Sequence, residues 1–349
     1  MKTNIVDIFC MVDDFSKLFD QTIKEKSIEK DGKKCRNRKS RMSDGEVMTI
    51  LILFHLSRYR DLKAFYLQYI THSCRSEFPH LVSYNRFVEL QSKVGYKLIA
   101  FLNMCCLGEC TGISFIDSTP LRACHVKRAQ GHKTMKGLAR KGKCTMGWFY
   151  GFKLHIVIND KGEIIKYQIT PGNCDDREPL KDSSFTKKLF GKLIGDRGYI
   201  SQSLFDQLFV DDIHMITRIK KNMKNSLMHL YDKVLLRKRV LIETVNDMLK
   251  NVCQIEHTRH RSVNNFLTNL ISGLIAYNLL PKKPELNIEI VSPPNFLLAL
   301  KSNWRELKLR CTGIKGLSDS MTKVVRFDFE SLRTFFGSLR EERVGWIGG

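Results

Sequence analysis

The chain has 349 residues, enough for one large core or two modest ones, and its 43% hydrophobic and 27% charged content is that of a globular protein. Its 58 basic against 36 acidic side chains leave a formal charge of +22, a surplus that repels itself in the folded state and so points to a polyanionic partner. No run of about 18 apolar residues marks a membrane span, the acidic start (Asp7, Asp13, Asp14) does not read as a secretory leader, and eleven scattered cysteines read as reduced cytoplasmic thiols.

Residues 1–105 form a first, helical zone. Ser43 and Glu46 fit a capping box ahead of the apolar run 47–56. Before it, residues 33–41 hold six basic side chains in nine and no acid, among them Lys33, Lys34, Arg36 and Arg38. Leu62, Phe65, Tyr66, Tyr69 and Ile70, then Phe87, Leu90, Val94 and Leu98, recur at helical spacing. Short helices with a basic connection suit a helix-turn-helix-like unit that binds DNA; a plain helical bundle has the same signature.

Residues 112–282 change period. A short strand over 113–117 ends in Asp117; 148–159 and 163–170 are two more strands, turned by Asn159-Asp160-Lys161-Gly162. A helix over 178–190, a strand over 192–195, a helix over 201–210 and a strand over 214–219 follow. A long helix over 234–250 and an amphipathic one from about 264 to 280 complete the zone. Strands first in succession and then alternating with helices predict an α/β protein with a mixed sheet covered on its faces. A third zone, 283–349, opens on Pro281-Lys282-Lys283-Pro284 and shows little periodic order before residues 328–343.

Three carboxylates stand out. Asp117 and Asp196 each sit at the end of a short apolar strand, where ligands enter α/β sheets, and glycines 195 and 198 flank the second. Either alone is equally well a turn residue. Glu243 lies on the long helix with Arg239 and Lys250 at i, i+4 and i+11, on one face; Asp247 is its rival, and a surface salt-bridge ladder the alternative. Taken together they suit Mg²⁺, a hard ion held by carboxylates and substrate phosphates. Paired ions of this kind serve in-line phosphoryl transfer. A strongly basic protein with a local acidic cluster is thus suited to cutting a phosphodiester.

The motifs at 115–121, 147–155 and 195–200, the stretch 239–250 and the run 256–262 resemble bacterial insertion-sequence transposases of the Asp-Asp-Glu type, among them insertion-sequence family 982, over roughly residues 1–285. The resemblance implies a ribonuclease-H-like mixed sheet with flanking helices, preceded by a small helical domain, with Asp117, Asp196 and Glu243 as catalytic metal ligands. It also implies Mg²⁺, for which Mn²⁺ substitutes, and a two-metal DNA transposase. Such an enzyme cleaves the terminal inverted repeats of its own element and transfers the strand into target DNA, working as a homo-oligomer. Leu236 stands where related enzymes carry a tyrosine ahead of the glutamate. Beyond residue 286 the likeness stops, and read-through or a frameshift into neighbouring sequence is one expectation for the tail.

Other clusters have plainer readings. Arg122, Lys127, Arg128, Lys133, Lys136, Arg140, Lys141 and Lys143 fall in one acid-free stretch, read as a loop that contacts phosphate and orders on DNA, or as a solvated loop. Arg239 and Lys250 are expected to hold phosphate or to orient Glu243. Cys124, His125, His132 and Cys144 lack the paired spacing of a zinc site. Asp175 and Asp176 read as helix caps or as groups set behind the metal ligands. His155 and the stripe Phe266, Leu270, Ile271, Leu274 and Ile275 read as core. Two rival functions remain: a ribonuclease-H-like endonuclease without strand transfer, and an inactive DNA-binding protein.

Overall fold

A helix that is apolar on every side has no face to offer water and must sit inside. α2 (Asp44–Leu56) is such a helix, with every residue from Val47 to His55 buried. The computed structural model describes residues 5–26, 40–218, 228–256, 260 and 262–286. Lys33, Lys34, Arg36 and Arg38, part of the 256–262 run and the tail from 287 lie outside these residues.

Around α2 pack α1 (Ile5–Lys26) and α5 (Tyr84–Phe101), with α3 (Leu62–Ala64), a π-helical turn (Phe65–Ile70) and α4 (Thr71–Ser73) between. The expected capping box forms. Ser43 Oγ accepts from the Glu46 amide at 3.1 Å, and the Ser43 amide donates to Glu46 Oε2 at 2.7 Å.

A six-stranded sheet follows: β1 (Ile113–Cys124), β2 (Arg140–Cys144), β3 (Gly147–Asn159), β4 (Ile164–Pro171), β5 (Gly191–Gly195) and β6 (Ile213–Thr217). β1 is central, antiparallel to β3 and parallel to β5, which in turn pairs parallel with β6. β4 and β2 share the other side of β3, β4 along residues 152–158 and β2 along 147–151. This is the mixed sheet that the resemblance implies.

α6 (Glu178–Lys181), α7 (Ser183–Thr186) and α8 (Gln202–Val210) cover one face, where Ile116, Val157, Leu180, Leu193, Leu204 and Leu208 form a core cluster. α9 (Leu230–Arg237), α10 (Val240–Asp247) and α11 (Val263–Asn278) follow in sequence. α10 packs on β1, and α11 packs against α2 and α5. Phe266 of α11 stacks on Phe152 of β3 at 5.2 Å, and Tyr277 donates its hydroxyl to Gly162 O at 2.7 Å, so sheet and helical layer are pinned together.

Four elements differ from expectation, each for a local reason. β1 does not stop at Asp117 but continues to Cys124, because β3 goes on pairing with it after β5 has ended. Pro120 fits there since β1 is by then an edge on its β5 side. The basic stretch 122–143 is partly regular, with a 3-10 turn (Val126–Arg128) and β2. The helix predicted for 178–190 is two short ones, divided at Asp182, whose side chain caps the second. The long helix breaks at Lys238 and ends in a π-helical turn (Met248–Val252). His155 is fully buried with Nε2 2.8 Å from Thr170 Oγ1, the expected core histidine. Among the described residues no helix is long and apolar enough to cross a membrane.

Candidate active site

The site arises where β1 and β5 part company. They pair in parallel through Ile113–Lys192, Ser114–Leu193 and Phe115–Ile194. Extending that register by two residues brings Asp117 level with Asp196, and the period-two alternation of side chains sets both carboxylates on one face. The intervening Gly195 packs tightly: a Cβ there would sit 3.1 Å from the Tyr199 ring and 3.2 Å from Ile116 Cγ2.

α10 lies over that face. Arg239 stands at its N-cap position without a capping bond; Nη2 donates to Asp117 Oδ1 at 3.1 Å and Nη1 to Glu243 Oε1 at 2.9 Å. Asn246 Nδ2 donates to Asp117 Oδ2 at 3.0 Å, so both oxygens of Asp117 are engaged. Burial pushes the Asp117 carboxyl up to about 6; Arg239 pulls against this, and the neighbouring Asp196 adds to it. Asp196 and Glu243 are exposed. The rival Asp247 accepts from Asn251 Nδ2 one turn further on, while Glu243 is joined to Asp117 through Arg239.

The expectation that Arg239 orients Glu243 therefore has a geometric basis. Lys250 turns inward as well, with Nζ donating to Pro120 O at 3.1 Å and 3.4 Å from Glu256. Neither member of the acidic pair caps α6, whose N-cap position is Arg177 without a side-chain capping bond. Asp175 accepts from the backbone and guanidinium of Arg177 and is held well below the usual carboxylate range by it. Asp176 instead accepts from Ser118 Oγ at 2.7 Å and Lys153 Nζ at 2.8 Å, against the residue that follows Asp117.

Two groups escaped the sequence reading. Asn246 had a signal, since it stands three residues from Glu243 on the same helix face. Tyr199 had none. Its hydroxyl is buried without a partner, and its pKa is raised well above the ordinary value by burial and by the nearby charges of Asp117, Asp176 and Asp196. Arg239 Nε and Asn246 Oδ1 are also buried without a partner. An unpaired buried polar group costs about 1–3 kcal/mol.

As the side chains stand, no three carboxylate, imidazole or thiol groups among the described residues enclose an ion. The donor set nevertheless fits a hard divalent cation. Two aspartates share a face, one is destabilised as an anion by burial, and the exposed Glu243 is held by an ion pair of the weakly stabilising kind. The eight basic residues Arg122, Lys127, Arg128, Lys133, Lys136, Arg140, Lys141 and Lys143 are all exposed, along the far end of β1, the 3-10 turn and β2.

Residues 107–263 match the family model described as a transposase DDE domain. That span is a transposase DDE domain, just under half of the chain. The matched span holds Asp117, Asp196 and Glu243 together with β1–β6 and α10. Such an enzyme cleaves DNA and transfers strands. No curated protein matches the chain. Solved structures to which the transposase is similar include a piggyBac transposase synaptic complex with hairpin DNA, at 11% identity and TM-score 0.41, covering 93% of this chain and 82% of that one. A Mos1 strand transfer complex is similar at 13% identity and TM-score 0.20, covering 68% and 85%. Likenesses this loose establish no residue correspondence.

Proposed function

We propose that this transposase acts on the terminal inverted repeats of its own insertion sequence, of family 982 type. In this reading Asp117, Asp196 and Glu243 hold Mg²⁺, or Mn²⁺ in its place. The observation that carries it is the placement of Asp117 and Asp196 on one sheet face beneath the helix that bears Glu243, inside the span that matches the transposase domain. Ions held there would supply an activated water and relieve charge on the leaving oxygen.

The chain's own residues do the rest. Asn246 fixes the Asp117 carboxylate, and Arg239 holds Glu243 in reserve until its charge is taken up by phosphate. The basic rim from Arg122 to Lys143, together with Lys33, Lys34, Arg36 and Arg38, draws in the duplex. Hydrolysis at the element end frees a 3′ hydroxyl. That hydroxyl attacks a phosphorus of target DNA, forming one phosphodiester as another breaks and expelling a target 3′ hydroxyl. Two ends are held together by a homo-oligomer in the cytoplasm.

The test incubates the full chain with labelled DNA carrying the gene's flanks, in Mg²⁺ or Mn²⁺ against EDTA, beside Glu243→Gln. Metal-dependent cleavage at the element end, followed by joining to a second DNA and absent in the variant, is the expected result. Cleavage without joining makes the protein a ribonuclease-H-like endonuclease. Binding without cleavage removes the catalytic assignment altogether.

A further inference from the structure

The β2–β3 hairpin combines two features that soluble surfaces normally keep apart. At its turn, Met146 is 82% exposed and Trp148 64% exposed, with Gly147 between them at φ +104°. Trp148 stands opposite Lys143 in the ladder, and Arg140 and Lys141 follow along the same strand, all three exposed. A tryptophan left in water forfeits the burial that makes it worth carrying, and basic neighbours exclude an apolar or cationic partner. An anionic polymer with flat apolar faces inside satisfies both demands.

We propose that Met146 and Trp148 form an apolar wedge that enters the base stack of duplex DNA, while Lys143, Lys141 and Arg140 hold the phosphates on either side. Wedges of this type partly unstack one base step and bend the duplex. The hairpin tip has a fixed distance from the chemistry. β3 runs eight residues from Ile156, opposite Asp117, to Trp148, which is roughly 25 Å at strand rise. For a duplex lying along the strand, that distance spans about seven base pairs at 3.4 Å each. The hairpin thus bends the element end, and the proposal rests on the reading of the chain as a transposase acting on that DNA.

Trp148 carries its own probe. The sequence has three tryptophans, the others being Trp304 and Trp346. In full-length W304F/W346F, emission is read from Trp148 as duplex carrying the gene's flanks is added. Binding is followed separately by anisotropy of the labelled DNA, and bending by energy transfer between its ends. The expected result is loss of Trp148 emission on binding, together with a shortened end-to-end distance. Trp148→Ala should straighten the DNA and weaken binding roughly five- to a hundredfold, the range set by base–aromatic stacking, and Trp148→Phe should restore it.

Because no charge is lost, Trp148→Ala leaves the salt dependence of binding unchanged, whereas Lys143→Ala lowers its slope by about one. Difference spectra between the unsubstituted chain and Trp148→Phe serve as a second reading if W304F/W346F is poorly folded. Unchanged emission in bound complexes, or wild-type affinity and bending in Trp148→Ala, overturns the wedge while leaving the transposase reading intact. Loss of self-association with DNA affinity retained overturns it too, and assigns the tip to a second copy of the chain. A parent chain that binds no duplex removes both.

Discussion

Lys97 and Arg239 each stand between two carboxylates, one in the helical layer and one over the sheet, and they serve opposite ends. Lys97 is 1% exposed, and its ammonium reaches Asp20, Asp44 and Ser16, so all three donors are used. Burial lowers its pKa, but the two carboxylates outweigh that and hold it above the ordinary value. Arg239 reaches Asp117 and Glu243, yet its buried Nε has no partner, nor do Asn246 Oδ1 and Tyr199 Oη. The same charge pattern is complete in one place and left incomplete in the other. The complete shell marks Lys97 as a group that builds the fold, whereas Arg239 keeps donor capacity that phosphate can take up.

The largest effect that tests this contrast comes from Asp196→Asn. The exchange keeps the shape and removes one anionic ligand from the exposed side of the site. Cleavage should fall on the order of a thousandfold or more, because metal stabilisation of the developing charge is worth several kcal/mol. Affinity for DNA, set by the basic rim, should stay within a few-fold. Gel-resolved cleavage and a binding isotherm on the same preparation separate the two, and retained cleavage removes Asp196 from the ligand set.

On the completed side the matching change is Lys97→Ala. It strands two half-exposed carboxylates, which water screens, and opens a hole between α1, α2 and α5, at a cost of about 1–2 kcal/mol in unfolding free energy. Denaturant midpoints measure it. Cleavage per folded molecule should be unaltered, and a catalytic loss would break the division between the two regions.

A third effect depends on pH. His55 of α2 is fully buried, with Nδ1 2.6 Å from Cys253 O, and burial pulls its pKa down to about 4 from 6.5. With the folded value the lower one, the unfolded chain binds the proton first as the solution is acidified. The contribution of neutral His55 is therefore whole above pH 6.5 and is lost as pH falls through 6.5 towards 4, amounting to about 2 kcal/mol by pH 5. His55→Gln should flatten that limb of a stability profile. An unchanged slope would mean that the histidine is hydrated rather than sealed.

How much of this was legible depended on sequence distance. The capping box at Ser43 and the apolar faces of α2 and α11 follow from nearest-turn chemistry and were readable. Asp117 and Asp196 were singled out by their strands, although β1 runs on past Asp117 because β3, far along the chain, keeps pairing with it. The sequence of β2 reads as a loop because lysine and glycine disfavour strands, and only its partnership with β3 overrides that. The break at Lys238 was hidden because apolar period continues through it. Asp176 against Ser118, 58 residues apart, and Tyr199 beneath the carboxylates depend on tertiary packing that no local pattern encodes.

The smallest effect asks the most of the comparison. If Arg239 occupies the position that a cation will take over, then Glu243 must leave it before it can serve as a ligand, and the ion pair is a cost to metal binding. Glu243 is 55% exposed, so that cost is at most about 1 kcal/mol. Arg239→Gln should therefore tighten Mn²⁺ binding in the absence of DNA by up to about fivefold in a calorimetric titration. The gain holds only well above pH 6, because losing the guanidinium also removes the charge that restrains the proton on Asp117. A variant that binds Mn²⁺ more weakly at neutral pH would show that Arg239 builds the site as Lys97 builds the core, and the distinction drawn between the two cations would fall.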